Sequence, residues 1–141
     1  MKYFFYFLLF LFFQACEPEP YEHEKSFIVE NTTNYTIKTT FYSELPSNYF
    51  PESFELSLIK SKKYSSSEVG AFPEWFPFEA IDSIRVIFND DISVVHGSSL
   101  YDVNRSLLLE TSFIQTKDEE FLREFNYIFT EEDYQEALLH Q

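Results

Sequence analysis

Two β-branched runs on either side of an Asn-Asp-Asp turn constrain this chain more than any other stretch. Ile81-Asp82-Ser83-Ile84-Arg85-Val86-Ile87-Phe88 leads into Asn89-Asp90-Asp91 and out through Ile92-Ser93-Val94-Val95-His96. Branching at Cβ suits the pleated, half-buried surface of a sheet, and Asn and Asp accept the backbone of a tight reversal. The pattern predicts a central hairpin buried on at least one face. Asp90 and Asp91 read as turn formers rather than calcium ligands, because no Asp-x-Asp-x-Asp-Gly spacing accompanies them.

Other segments repeat the two-residue period. Phe27-Ile28-Val29-Glu30 precedes the turn cluster Asn31-Thr32-Thr33-Asn34, and Tyr35, Ile37, Thr39 and Phe41 then share one face. These predict a hairpin with one wet side. Asn31-Thr32-Thr33 also matches a glycosylation acceptor but reads as turn chemistry. Glu44 to Glu52, with Pro46 and Pro51, predicts a loop, and Phe54 to Lys60 alternates as a third strand. Ser61 to Ser67 reads as a mobile basic connection. Gly97 to Arg105 reads as a further loop, Leu107 to Ile114 as a strand or a buried helix, with its β-rich neighbours favouring the strand, Lys117 to Glu120 as a charged turn, and Phe121 to Phe129 as the last strand, with Phe125, Tyr127 and Phe129 on one side. Arg105 is expected to form a structural ion pair with an acid.

Thr130-Glu131-Glu132-Asp133 is a capping-box pattern with carboxylates where a helix dipole favours them. It predicts a helix from Glu131 to about Leu139 that covers an apolar patch with Tyr134, Ala137 and Leu138. The fold expected is therefore mostly β, an antiparallel sandwich of immunoglobulin-like or related type with six to eight strands and a short C-terminal helix.

The N-terminus sets a different kind of constraint. Lys2 precedes eleven apolar or aromatic residues, Tyr3 to Phe13, and then Gln14, Ala15 and Cys16, the only cysteine. As a helix the run would reach only about 16 Å, too short for a hydrocarbon core of roughly 30 Å, so it reads as a secretory signal and not a span. Glu17 to Glu24 carries four carboxylates and two prolines and predicts an extended, solvated spacer. The divisions expected are 1–15 signal, 16–25 cysteine and spacer, and 26–141 one β-rich domain.

Phe13-Gln14-Ala15-Cys16 resembles the lipobox of bacterial lipoproteins. That resemblance implies a thioether-linked diacylglycerol on Cys16 and a mature chain held at the membrane by its acyl groups, since two or more chains anchor stably where one is marginal. The acidic residues after Cys16 resemble surface-export signals of Bacteroidota-type lipoproteins. Ile81 to Val86 with its Asn-Asp-Asp turn, the Arg105 loop, and Tyr127-Ile128-Phe129-Thr130-Glu131-Glu132-Asp133-Tyr134 resemble small cell-envelope lipoproteins of the same bacteria. Those carry no established activity, so the resemblance implies compartment and β architecture alone, in the outer membrane, surface-exposed or periplasmic.

Composition and motifs then exclude function classes. With 10 basic against 24 acidic residues, net charge −14, the chain repels phosphate, which disfavours nucleic acid. Two glycines, Gly70 and Gly97, leave no phosphate-cradling loop. His23, His96 and His140 have no metal-ligand spacing, and no Gly-x-Ser-x-Gly elbow presents a nucleophile. No cofactor, metal or catalytic residue is expected, and the chain reads as a non-enzyme. Phe72-Pro73-Glu74-Trp75-Phe76-Pro77-Phe78 has two readings: rings that plug the end of the sandwich, or a platform on which Phe72, Trp75 and Phe76 bind a glycan, a peptide or a partner lipoprotein. A small hydrolase using acidic residues and a purely structural envelope component are the alternative functions.

Overall fold

The computed structural model describes residues 20–45, 53–57, 60–97 and 105–141. The signal, Cys16, residues 17–19 of the spacer, and the expected loops at 46–52 and 98–104 lie outside them, as do residues 58–59 of the expected third strand. The described elements are β1 (Glu22–Asn31), β2 (Ile37–Tyr42), β3 (Glu55–Leu56), β4 (Ser61–Val69), β5 (Ser83–Phe88), β6 (Ile92–Gly97), β7 (Ile114–Asp118), β8 (Leu122–Phe129) and the helix α1 (Glu131–Leu139). One sheet has the order β4-β1-β8-β7 and the other β3-β2-β5-β6. Every pairing is antiparallel except β1 with β8. The chain is a β-sandwich closed by a short C-terminal helix.

The central hairpin forms as the sequence predicts. Phe88 O accepts from Asp91 N–H at 3.1 Å, and the two residues between them have positive φ, 50° at Asn89 and 64° at Asp90. Both central residues of a type I′ hairpin turn need that sign, which Asn and Asp tolerate. Alternation then buries Ile84, Val86 and Phe88 on β5 and Val94 on β6. They meet Ile37 and Phe41 of β2 on their own sheet, and Phe27, Val29, Tyr127 and Phe129 from β1 and β8 across the sandwich.

The expected hairpin from Phe27 to Tyr42 does not form. Its two strands are β1 and β2, which lie in different sheets, and the Asn31–Tyr35 turn carries the chain across the core. The Asn31 side chain is the reason. It is fully buried, its Nδ2 donates to Tyr35 O (2.7 Å) and Leu56 O (3.1 Å), and its Oδ1 accepts from Thr33 N–H (2.9 Å) and Thr33 Oγ1 (2.8 Å). An amide used this completely gives the reversal its hydrogen bonds without strand pairing, and leaves no room for a glycan at Asn31.

Three further segments differ from expectation. Ser61 to Ser67 is part of the nine-residue strand β4, in unbroken register with β1. Its composition is that of a sheet edge, where backbone bonding and not side-chain burial holds the strand. β1 opens at Glu22, so the end of the expected spacer is sheet. Leu107 to Phe113 is a turn followed by a 3-10 turn at Glu110–Ser112, and the strand begins only at Ile114. Ser106 N–H bonds Ser112 Oγ and Leu108 N–H bonds Ser106 Oγ, both at 3.1 Å, so local hydroxyls compete successfully with a ladder. Lys117 and Asp118 finish β7, which leaves Glu119 to Phe121 as the turn. Among the described residues, the expected third strand reduces to Glu55–Leu56.

The capping box at Thr130 forms. Asp133 accepts from Thr130 N–H at 2.7 Å and Thr130 Oγ1 at 3.1 Å. The helix buries Ala137 and stacks Tyr134 on Tyr35 with centroids 3.9 Å apart. Leu138, expected to face the core, is exposed, and Asp133 is buried in its place.

Candidate functional site

Odd-numbered residues of β1 face the interior, so the core pattern of Val29 and Phe27 continues back through Lys25 and His23. The cover over that end of the strand is the 71–78 segment. Phe76 packs against Phe27 (5.2 Å between centroids), Phe78 (5.5 Å) and Phe113 (5.7 Å), and Phe78 is buried against Phe41 and Tyr64. Edge-to-face contacts of this kind suit the ring quadrupole and lock the loop. Phe72 sits between His23 (4.8 Å) and the Arg123 guanidinium (4.0 Å). The loop therefore plugs the sandwich, with Phe72 and Phe76 half-buried in that packing.

Trp75 is half-buried as well, in edge-to-face contact with Phe27 at 5.9 Å, and it lines a shallow hollow of about 440 Å³. Lys25, Glu74, Phe76, Glu79 and Glu110 complete the lining. Lys25 Nζ bonds Glu110 Oε1 at 2.8 Å and lies 5.1 and 5.6 Å from the ring centroids of Phe27 and Phe125. That pair is neutral and held. Glu74 and Glu79 make no ion pair among the described residues. The hollow thus offers a flat indole beside two carboxylates free to accept hydrogen bonds, on a scaffold braced by the aromatic plug.

Lys25, Glu74, Glu79 and Glu110 were not among the expected site residues. Extending the period of two backwards from Phe27 would have placed Lys25 on the inner face; nothing in the local sequence brings Glu110 to it, because that contact spans 85 positions.

The ionisable groups that depart most from ordinary behaviour lie elsewhere. His96 is buried, its Nδ1 accepts from Leu107 N–H at 3.2 Å, and burial, aided by the Arg105 charge, pushes its pKa down to about 4. It is a neutral structural acceptor. Burial raises Asp133, opposed by its bonds to Thr130 and the charge of Arg105. Arg105 Nη2 donates to Ile128 O at 2.7 Å, its Nη1 lies 3.8 Å from Asp133 Oδ2, and its guanidinium stacks over Tyr127 at 4.5 Å. The expected ion pair is present, as a brace between β8 and the helix start. Among the described residues, no cluster of three or more His, Cys, Asp or Glu could hold a metal, and no helix is long and apolar enough to cross a membrane.

No family model, curated protein or solved structure matches this chain.

Proposed function

We propose that the protein is a lipid-anchored component of the cell envelope, tethered through Cys16, whose β-sandwich binds a ligand and does not transform it. The tether rests on Phe13-Gln14-Ala15-Cys16 at the end of an apolar run too short to span a bilayer. The observation that carries the binding role is the Trp75 hollow: a half-buried indole held by an aromatic plug and flanked by Glu74 and Glu79, which make no ion pair among the described residues. A ligand suited to it has a flat apolar face and hydrogen-bond donors, which describes a sugar ring or a peptide. A role without catalysis is supported by where the perturbed groups lie, since His96, Asp133, Tyr64 and Tyr127 all serve packing or capping and none lines the hollow.

Two measurements test this. Intact-mass analysis of the membrane-extracted protein should find residues 1–15 removed and acyl groups on Cys16, and Cys16→Ser should move the protein out of the membrane fraction; an uncut chain or unchanged fractionation overturns the tether. Glycan and peptide panels should give saturable binding that Trp75→Ala weakens at least about tenfold, the loss of one good stacking contact. Binding indifferent to Trp75, or hydrolysis of a panel member, overturns the binding reading.

A further inference from the structure

A sandwich has four outer strands, and here they are treated very differently. β3 is two residues long. β6 has its Ser93 carbonyl capped by Gln141 Nε2 at 2.9 Å. β7 is broken by a register shift between Gln115 and Lys117, which twists an edge away from flat pairing. β4 has none of these devices. It runs nine residues, Ser61 to Val69, with every one paired to β1 in continuous register and all but Tyr64 and Ser66 exposed.

The direction of its free hydrogen-bonding groups follows from the ladder. Asn31 N–H donates to Lys60 O (3.0 Å) and Gly70 N–H donates to Tyr21 O (3.1 Å), each continuing the β1–β4 register by one pair. Antiparallel bonding alternates along a strand, so even-numbered residues of β4 bond β1 and odd-numbered ones turn their N–H and C=O to the open edge. Ser61, Lys63, Ser65, Ser67 and Val69 therefore present a row of unused backbone groups, and among the described residues nothing bonds them.

The side chains on this edge are self-complementary about Ser65. When two copies of the strand are laid antiparallel with a two-fold axis at Ser65, each odd residue meets an odd residue, Ser65 meets its own copy, and Lys62 meets the partner's Glu68. Lys62 and Glu68 then occupy non-hydrogen-bonded pairs, where opposed side chains are closest. Shifting the axis to Tyr64 sets Lys62 against the partner's Ser66, and shifting it to Ser66 sets Lys62 against the partner's Gly70; both shorten the overlap. Lysine on an edge ordinarily repels another strand. Here its opposite charge lies six residues on, so of these three registers only the one centred on Ser65 sets Lys62 against a glutamate. Lys63 already bonds Glu24 at 2.8 Å, so it adds no free positive charge.

We propose that the protein forms a two-fold dimer in which β4 pairs antiparallel with β4 of a second copy, centred on Ser65, joining two four-stranded sheets into one continuous sheet. Such a ladder makes about ten backbone hydrogen bonds and two Lys62–Glu68 pairs. The mode is strand addition at a sheet edge, with main-chain bonding supplying affinity and the charge pair fixing register. It is independent of what occupies the Trp75 hollow.

Cysteine placement reads the register directly. Cα atoms of a hydrogen-bonded antiparallel pair lie about 5.5 Å apart, inside the range a disulfide bridges. Full-length Ser65→Cys, oxidised and run without reductant, should give a band at twice the chain mass, whereas Ser66→Cys and the parent chain with Cys16 alone should not. In detergent, light scattering should report a dimer whose dissociation constant rises about tenfold in Lys62→Glu and in Glu68→Lys, with recovery in the double exchange. A monomer at about 100 μM overturns the proposal. So does a dimer that Ser65→Cys fails to trap, or one that the single reversals leave unchanged while their melting temperatures match the parent.

Discussion

β1 is one continuous strand with two contrasting ends. At its C-terminal end Asn31 is sealed from water, every hydrogen-bonding position of its amide is used, and the helix closes above it through the Tyr35–Tyr134 stack. At its N-terminal end Lys25 lies on the same inward face but under a loop, where a paired charge, aromatic edges and free carboxylates border open solvent. The difference shows how one strand can serve as both core and site wall. A strand inside the sandwich needs polar groups satisfied internally, whereas one covered only by a loop can keep ionised groups at its margin, because solvent shares their charge.

The comparison can be broken most severely where the two ends meet. Phe27 touches Trp75, Phe76, Phe113 and Phe125, so Phe27→Ala should cost about 3 to 5 kcal/mol in urea unfolding and slacken the loop as well. A loss below about 1 kcal/mol would mean that the plug does not depend on the core.

Acid should act on two buried groups in opposite directions. His96, buried beside Leu107, has a folded pKa near 4 against an unfolded value of about 6.5. The unfolded chain binds the proton more readily, so stability present above about pH 6.5 is lost as pH falls toward 4, on the order of 3 kcal/mol. Asp133, at the closed end, is shifted upward, so its titration favours the folded state as pH falls through its folded value. Denaturant melts from pH 7 to 4 should therefore show a decline that His96→Gln flattens; an unchanged decline would rule out His96 as its source.

Smaller effects sharpen the contrast. Asn31→Ala should cost about 2 kcal/mol, because Thr33 N–H and the carbonyls of Tyr35 and Leu56 lose a buried partner together. Thr130→Ala should remove about 1 kcal/mol by weakening the helix start. Lys25→Ala should change stability least of these, by less than about 1 kcal/mol, since its partner Glu110 remains hydrated. If Lys25→Ala proved as damaging as Asn31→Ala, the N-terminal end of β1 would have to be counted as core.

Local physics made much of this readable. The Ile81 to His96 hairpin, the inward faces of β2 and β8 and the capping box each depend on residues whose preferences agree with their neighbours over a few positions. Where expectation failed, a distant partner outweighed the local signal. Ser61 to Ser67 looks like a loop until β1 supplies its ladder, and Asn31 looks like a hairpin turn until the Leu56 carbonyl claims its amide. Leu107 to Phe113 looks like a strand until Ser106 and Ser112 satisfy its backbone locally.

The candidate site divides in the same way. Aromatic and proline content mark the 71–78 segment, but composition cannot tell a plug from a platform; the rings that hold it, Phe27 and Phe113, and the Arg123 guanidinium approach from other parts of the chain. The amino-acid sequence alone determined the β class, the hairpin and the helix cap, because side-chain periodicity and turn chemistry act between near neighbours. Only the tertiary structure decided which sheet each strand joins, what the aromatic loop packs against and which edge stays open, because those depend on contacts whose loop-closure cost no local pattern encodes.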